Sequence, residues 1–383
     1  MKIGIFRRRY SPHGGGERFA HQFLQSLASA GYDVHLFCEA WTDIPAGVTL
    51  RRVPTLRGGS ALRTLGYAVL APNLARRIGV DLVHSFERTF RQDLYRAGEG
   101  CHRQWLALSR QHLRGPLQAL DRVRPFHRVV LAIERRMCQK NAAKVLVVNS
   151  KMVENDFARH YPPLRAATAL IRNGVDLKRF HPDVRSATRG TARESLGLRT
   201  EQLVLVIVGS GFSRKGVPTA IRALGYLRRK AGLTPVLLIA GKGNQAPLLS
   251  LAEREGVEQQ VRFLGIVEDT TPLYGAADVF VLPSVYDPAS NATLEALGMG
   301  LPVITTRANG SAEILEAGRS GWVVSGPSDF LTLASLIEGA SDSRVRISVG
   351  EAGRRAVEPW SLEHHLNEAL ALYRPFSGAA RQR

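Results

Sequence analysis

Residues Tyr286-Asp287-Pro288-Ala289-Ser290-Asn291-Ala292-Thr293-Leu294-Glu295-Ala296-Leu297-Gly298 set two carboxylates eight positions apart across the passage from a strand into a helix. The preceding Val279-Phe280-Val281-Leu282-Pro283 is short, apolar and β-branched, and Thr293 to Met299 favours helix, so Ser290 to Thr293 is predicted to open a helix. Unpaired backbone N–H groups at such a start attract oxyanions and hydroxyls. Asp287, just ahead of the helix, is positioned to take a sugar hydroxyl, and Glu295, about two turns on, to accept both hydroxyls of a ribose. Taken alone, the stretch reads more readily as an ordinary βα unit with an exposed Asp and a solvated Glu.

Two other stretches shift that balance. Leu203 to Val208 is a continuous apolar run, predicted as a buried parallel strand, and Gly209-Ser210-Gly211-Phe212-Ser213-Arg214-Lys215-Gly216 follows it directly before a helical stretch near Val217. Glycines let a backbone approach a phosphate closely, and Arg214 and Lys215 would then face a diphosphate. The spacing is not that of a Walker loop, and no Ser or Thr follows Lys215 to hold magnesium. Near the start, Met1 to Phe6 reads as a strand and His13-Gly14-Gly15-Gly16-Glu17-Arg18 as a glycine loop opening a helix that ends near Gly31. It lacks the G-x-G-x-x-G spacing of a dinucleotide fold, which disfavours a nicotinamide cofactor.

Together, the Gly-Gly-x-Glu loop, the G-x-x-F-x-R-K-G loop and the acidic-x7-Glu segment resemble the retaining glycosyltransferases of family 4 over most of the chain. Ile171-Arg172-Asn173-Gly174-Val175-Asp176 with Phe180 and Pro182, Gly265, and Gly300-Leu301-Pro302-Val303-Ile304-Thr305-Thr306 followed by Gly310 fit the same family. Val208 to Val217 and Tyr95-Arg96-Ala97-Gly98-Glu99-Gly100-Cys101 bring it nearest to the lipopolysaccharide core glucosyltransferases. The resemblance implies a GT-B architecture, two Rossmann-like α/β domains facing across a cleft that holds a nucleotide sugar, UDP-glucose above others. It implies donor contacts from Gly15, Gly16, Glu17, Gly209, Arg214, Lys215, Asp287, Ser290, Asn291, Ala292, Thr293 and Glu295. The catalytic set it implies is Glu99, Asp287, Arg214 and Lys215, with Arg214 and Lys215 stabilising charge that grows on the departing diphosphate. Glu99 stands where relatives carry an acid or a His facing the sugar. One departure stands out: the family usually has Glu as the first acid, and Asp287 retracts the charge by one methylene. The chain has no Asp-x-Asp pair to hold a divalent cation against a diphosphate, so cations and helix starts are expected to replace a metal, and no cofactor is expected.

At 383 residues the chain suits two domains of nearly equal size. Apolar strands alternate with helical stretches at Val34 to Cys38, Leu82 to Ser85, Val145 to Asn149, Leu203 to Val208, Val236 to Ala240, Val261 to Leu264, Val279 to Leu282 and Val303 to Thr305, predicting two parallel sheets. The boundary is expected within Asn173 to Arg199, a polar, Arg-rich run, giving an acceptor-binding domain over 1–175 and a nucleotide-sugar-binding domain over 176–359. In the family a terminal helix crosses back to the first domain, which 360–383 suits; a simple terminal amphipathic helix is the other reading.

The net charge of +19 and a pI near 10.6 point to polyanionic partners. Basic residues concentrate between His102 and Lys140: Arg103, Arg110, Arg114, Arg122, Arg124, Arg128, Arg135, Arg136 and Lys140, opposed only by Asp121 and Glu134. Trp105, Leu106 and other apolar residues are interleaved, and Val130, Ile133 and Met137 share one helix face with Arg128 and Arg135 on the other. This reads as an interfacial segment that lays apolar side chains into a leaflet and Arg103, Arg110, Arg114, Arg122, Arg124 and Arg128, with Trp105, onto an anionic membrane surface. An ordinary helix with Arg on its solvated face is the alternative. No nucleic-acid module or aromatic platform appears, so nucleic acid is not an expected partner.

Met1 enters a strand without a signal peptide, no run of about eighteen apolar residues spans a bilayer, and Cys38, Cys101 and Cys138 lack metal spacing. These features suit a cytoplasmic protein with reduced thiols, peripheral on the inner face of the cytoplasmic membrane. Neither His13 nor His364-His365 has metal-ligand spacing. The reading is a metal-independent hexosyltransferase that moves glucose to a glycolipid acceptor such as a lipopolysaccharide core. A sugar-nucleotide 2-epimerase of similar architecture and a basic membrane- or nucleic-acid-binding protein without turnover remain alternatives.

Overall fold

The computed structural model describes residues 1–9, 15–41, 44–54, 56–110 and 124–377, without the side chains of 15–19, 110 and 377. Two compact units divide the chain, Met1–Arg172 with His365–Arg383, and Asn173–His364.

The first unit is built on seven strands, β1 Lys2–Phe6, β2 Asp33–Cys38, β3 Val48–Arg52, β4 Leu82–Ser85, β5 Leu94–Arg96, β6 Val145–Val148 and β7 Ala167–Leu170. They pair in the order β3-β2-β1-β4-β5-β6-β7, every pair parallel. Parallel strands need helical crossovers, and the helices bury both faces of the sheet, which is why the central strands are almost wholly apolar. The final residues close this unit: Ala369 and Tyr373 are buried among Ile3, Phe23, Leu24 and Leu82, and the Tyr373 hydroxyl lies 2.6 Å from His84 Nδ1.

The second unit holds β8 Val204–Val208, β9 Val236–Ala240, β10 Val261–Gly265, β11 Val279–Leu282, β12 Val303–Thr306 and β13 Trp322–Val324, in the order β10-β9-β8-β11-β12-β13 and again all parallel. Strand order reverses between β8 and β11, with Val279 beside Leu205 and Phe280 beside Val206. In an open parallel sheet the carboxyl ends on either side of such a reversal diverge, leaving room for a ligand.

Part of the run expected to separate the domains is a helix of the second unit, Pro182–Ser195. Its arginines are spaced one turn apart and serve a neighbouring element. Arg185 donates to the carbonyls of Ala277 and Gly300, Arg189 to that of Gly275, and Arg193 to that of Ala276. Arg189 and Arg193 also grip the two oxygens of buried Asp278 at 2.7 Å each. The cluster caps the last carbonyls of helix Thr271–Ala276, which would otherwise be orphaned. Composition read as a linker is here a packed capping device.

Of the basic segment read as leaflet-inserting, residues 111–123 lie outside the described residues, and the two described helices on either side turn their apolar face inward. Val130, Ile133 and Met137 of helix Pro125–Gln139, and Leu106 of helix His102–Arg110, are buried in the protein. Ile133 and Met137 pack with Tyr95, Cys101 and Phe157, so the apolar face is already satisfied by the core and unavailable to lipid. Arg103, Arg124 and Arg128 are exposed, Trp105 is half-buried, and Arg114 and Arg122 lie outside the described residues, as does the Arg110 side chain. Glu134, read as one of two opposing charges, is fully buried.

Candidate functional site

At the carboxyl end of β8 the chain enters the Gly209–Gly216 loop, whose course is fastened on three sides. Gly209 N–H donates to the Ala240 carbonyl (2.8 Å), Gly211 N–H to that of Lys242 (2.7 Å), and Val285 N–H to that of Arg214 (2.8 Å). Gly216 has φ +76°, and a Cβ there would stand 1.9 Å from the Pro283 carbonyl oxygen. Only glycine lets this turn close against the end of β11. The result brings Lys215 to Asp287, where the ammonium and carboxylate form an ion pair with both side chains buried. Arg214, half-buried, has no side-chain hydrogen-bond partner among the described residues.

Asp287 is held by its backbone. Its N–H donates to the Ala308 carbonyl and its carbonyl accepts from Gly310, both at 2.8 Å, in a parallel bridge to Asn309. Helix Asn291–Gly298 begins immediately afterwards, with Ser290 as its cap: Ser290 Oγ accepts from Thr293 N–H at 3.3 Å. Ser290 N–H in turn donates to Asn309 Oδ1 at 3.3 Å. Two of the four backbone donors expected to face a ligand, those of Ser290 and Thr293, are therefore occupied within the protein. The N–H groups of Asn291 and Ala292 have no acceptor among the described residues, which narrows the ligand-facing part of this helix start to two donors.

Asn309 was not singled out in the sequence, although it directly precedes Gly310. It is 1% exposed and uses both ends of its amide, since Nδ2 also donates to Thr293 Oγ1 and Thr305 Oγ1 at 3.0 Å each. It ties the end of β12 to the start of the acidic helix. Tyr274 was missed as well, having no local signal. Buried on helix Thr271–Ala276, it donates through its hydroxyl to Glu295 Oε2 at 2.8 Å. Burial, and then the Glu295 charge, push the Tyr274 phenol well above its ordinary range, so it remains a donor and fixes one oxygen of the carboxylate. Asn173 Nδ2 donates to Asn291 Oδ1 (2.8 Å) and to the Ala289 carbonyl (3.1 Å), bracing the same turn. Gly209, Arg214, Lys215, Asp287, Ser290, Asn291, Ala292, Thr293 and Glu295 thus belong to elements at the carboxyl side of β8 and β11.

The first unit contains the other candidates. Gly15, Gly16 and Glu17 form the first turn of helix Gly15–Ser29, following β1; the loop residues His13 and Gly14 lie outside the described residues, as does the Glu17 side chain. Glu99 follows β5 with its side chain 77% exposed, paired at 2.9 Å with Arg88 Nη1. The Arg88 charge holds the Glu99 carboxyl below the usual carboxylate range, so it is an anion at neutral pH. Arg88 also donates through Nε to Glu134 (2.9 Å) and through Nη2 to the Gly100 carbonyl (2.9 Å). Glu134 accepts further from His102 N–H and Tyr161 OH, 2.8 Å each. A buried, fully bonded carboxylate therefore anchors the arginine that positions an exposed one. Burial pushes the Cys101 thiol to about 12 and Cys38 to about 11, which leaves both as unreactive packing groups. Among the described residues no group of three or more His, Cys, Asp and Glu could hold a metal ion, and no helix is long and apolar enough to cross a membrane.

Comparison with known proteins agrees with this arrangement in both units. Residues 13–179 match the family model described as Glycosyltransferase Family 4, and residues 202–340 match that of Glycosyl transferases group 1. The lipopolysaccharide glucosyltransferase WaaG of Escherichia coli K12 is 26% identical over 365 residues, 94% of this chain and 96% of that protein. A crystal structure of WaaG superposes with a TM-score of 0.81 at 26% identity, covering 96% of this chain and 98% of the other. A D-inositol 3-phosphate glycosyltransferase of Corynebacterium urealyticum is 30% identical over 252 residues, 63% of this chain and 59% of that protein. Anabaena Alr3699/HepE, solved in complex with UDP-glucose, shares the fold with a TM-score of 0.72 at 20% identity, over 97% of this chain and 99% of that one.

Two Rossmann-like units of this kind, each matched by a glycosyltransferase family model, make the protein a glycosyltransferase of GT-B fold. The chain belongs to glycosyltransferase family 4, and it is similar to the lipopolysaccharide glucosyltransferases along nearly its whole length.

Proposed function

We propose that this glycosyltransferase moves glucose from UDP-glucose to a glycolipid acceptor of the lipopolysaccharide inner-core type, retaining anomeric configuration and using no metal. The observation that carries the reading is the Lys215–Asp287 ion pair, set beside the glycine loop at the strand reversal. A diphosphate brings two charges that compete for Lys215, and the sugar brings hydroxyls that compete for Asp287, so the donor exchanges one buried pairing for two. Arg214 and the Asn291 and Ala292 N–H groups add donors for the leaving group, which is where charge grows in the transition state. Glu295, with one oxygen fixed by Tyr274, retains acceptor capacity for a ribose. Glu99, anionic and held by Arg88, suits a hydroxyl of the donor sugar or positive charge at the anomeric carbon.

The Asn173–His364 unit is accordingly read as the nucleotide-sugar half and the other as the acceptor half. UDP-glucose in the HepE complex and glucosyl transfer by WaaG support the choice of donor. The exposed arginines suit an anionic membrane surface on the cytoplasmic side, where a lipid-linked acceptor resides. A thermal-shift screen across UDP-, GDP- and ADP-sugars tests class and donor together, because a ligand bound only by the folded state raises its melting temperature. Stabilisation by UDP-glucose, followed by product formation only when acceptor is added, is the expected result. Turnover of the donor to a free sugar without acceptor would favour an epimerase, and indifference to every nucleotide sugar would refute the assignment.

A further inference from the structure

Helix Ser60–Ile78 carries an apolar stripe that is exposed among the described residues. Leu62 is 52% exposed, Leu65 37% and Val69 40%, and at 100° per residue they lie on one line. Tyr67, Ala68, Ala71 and Ala75, on the opposite face, are buried against the sheet, so the helix already has its core contact and the stripe is additional. Leu56, 44% exposed, extends it from the preceding loop: a Cβ on Gly66 would meet Leu56 Cδ1 at 2.6 Å, so this leucine lies on the helix itself. Four large apolar side chains in one exposed row are more than the scattered hydrophobics of an ordinary surface.

The charge around the stripe indicates its partner. From Ile44 to Val80 the sequence contains six arginines and no Asp or Glu. Arg57, Arg76 and Arg77 are exposed and Arg63 is half-buried, flanking the apolar row on the helix and the loop before it. Two copies of such a face would bring like charges together, which disfavours self-association. We propose that Leu56, Leu62, Leu65 and Val69 insert into an anionic lipid leaflet while Arg57, Arg63, Arg76 and Arg77 bind its phosphate head groups. The inference rests on the membrane-surface part of the proposed function but assigns the insertion to a different helix from the one that the sequence suggested. Guanidinium groups suit this role because each can engage phosphate oxygens through two parallel hydrogen bonds.

The test is co-sedimentation of the full chain with vesicles of phosphatidylcholine alone or mixed with phosphatidylglycerol, at about 0.1 M and about 1 M salt, where the screening length falls from about 10 to about 3 Å. Wild type is expected to bind the anionic vesicles, and less at high salt. Combined Leu62→Ser, Leu65→Ser and Val69→Ser should weaken that binding at least about tenfold, with melting temperature and donor-induced stabilisation unchanged. Combined Arg76→Gln and Arg77→Gln should weaken it at low salt more than Arg124→Gln with Arg128→Gln does. Leu65→Trp should show fluorescence quenched by brominated anionic lipid. If wild type binds and the serine variant binds equally, or the Arg124 and Arg128 change has the larger effect, the surface is wrong while the membrane reading stands. If wild type ignores anionic vesicles, the membrane reading itself fails. A wild-type dimer that the serine variant dissociates would overturn the proposal in favour of self-association.

Discussion

Lys215 and Asp287, 72 positions apart in the chain, meet as an ion pair whose side chains are 9% and 8% exposed. Each ion has left water to reach the other, and the loss of hydration is offset only while both are present. On the proposed reading, a donor would offer Lys215 the charge of its diphosphate and Asp287 the neutral hydroxyls of its sugar, so it would compete with an existing pair rather than enter an empty pocket. The short side chain of Asp287 suits this pairing, because its carboxylate is fixed by a backbone bridge to Asn309 and Lys215 reaches across to it.

Removing one member should therefore cost more than removing both. Asp287→Ala is expected to destabilise the ligand-free protein by about 3–5 kcal/mol, measured by urea unfolding, and Lys215→Ala to lower kcat by roughly 100-fold or more. Asp287→Leu with Lys215→Met should regain most of the stability and no activity. Full turnover in Lys215→Ala would refute its proposed role.

Tyr274→Phe isolates the orientation of Glu295. The ring stays buried and only the hydroxyl that donates to Oε2 is lost, so the melting temperature should change little. The KM for donor should rise about 3–10-fold, as expected from about 1 kcal/mol for one hydrogen bond, with kcat retained. Preference for a ribose over a 2′-deoxyribose donor should shrink by a similar factor. An unchanged preference would show that this carboxylate does not face the ribose.

In the first unit, stability and chemistry separate along one chain of contacts. Arg88→Ala leaves Glu134, which is fully buried, without its counter-charge and should destabilise by about 3–5 kcal/mol. Glu99→Gln keeps the shape of an exposed side chain and loses its charge pairing with Arg88, so a loss of stability of no more than about 1 kcal/mol should accompany the fall in kcat. Equal kcat in Glu99→Gln and wild type would remove Glu99 from the catalytic set.

What the sequence made legible follows burial. Most strands read from apolar runs, such as Leu203 to Val208 and Val279 to Leu282, lie in sheet interiors, where both faces demand hydrophobic residues, while Val261 to Leu264 is an edge strand legible from its Val, Phe and Leu. Val48–Arg52, Ala167–Leu170 and Trp322–Val324 were not read as strands, and all three are sheet edges with mixed exposure, where pairing with a single neighbour imposes little pattern. Chemistry was legible where a loop concentrates it, as at Gly209–Gly216 and Asp287–Glu295. Asn309 and Tyr274 reach the site from other elements, and no local spacing announces a contact made only by tertiary packing. The arginines at 185, 189 and 193 misled for a related reason: composition cannot tell solvated guanidinium groups from ones bonded to buried carbonyls.

His84 gives the fold a pH dependence of defined sign. It sits among Phe23, Phe86 and Tyr373, and burial first, then the Arg96 charge, lowers its imidazole to about 3 from an ordinary value near 6.5. The native state therefore keeps His84 neutral while the unfolded chain takes up a proton below about pH 6.5. Its contribution is fully present above that value and is lost progressively as pH falls toward 3. Between pH 7 and pH 5, wild type should lose about 2 kcal/mol more stability than His84→Phe, since each pH unit in that window costs up to about 1.36 kcal/mol. Phe fits the aromatic surroundings but forfeits the contact between His84 Nδ1 and the Tyr373 hydroxyl, so the comparison is the change with pH within each protein, measured by urea unfolding at both values. Parallel losses in the two proteins would mean that His84 titrates in the fold as it does in the unfolded chain.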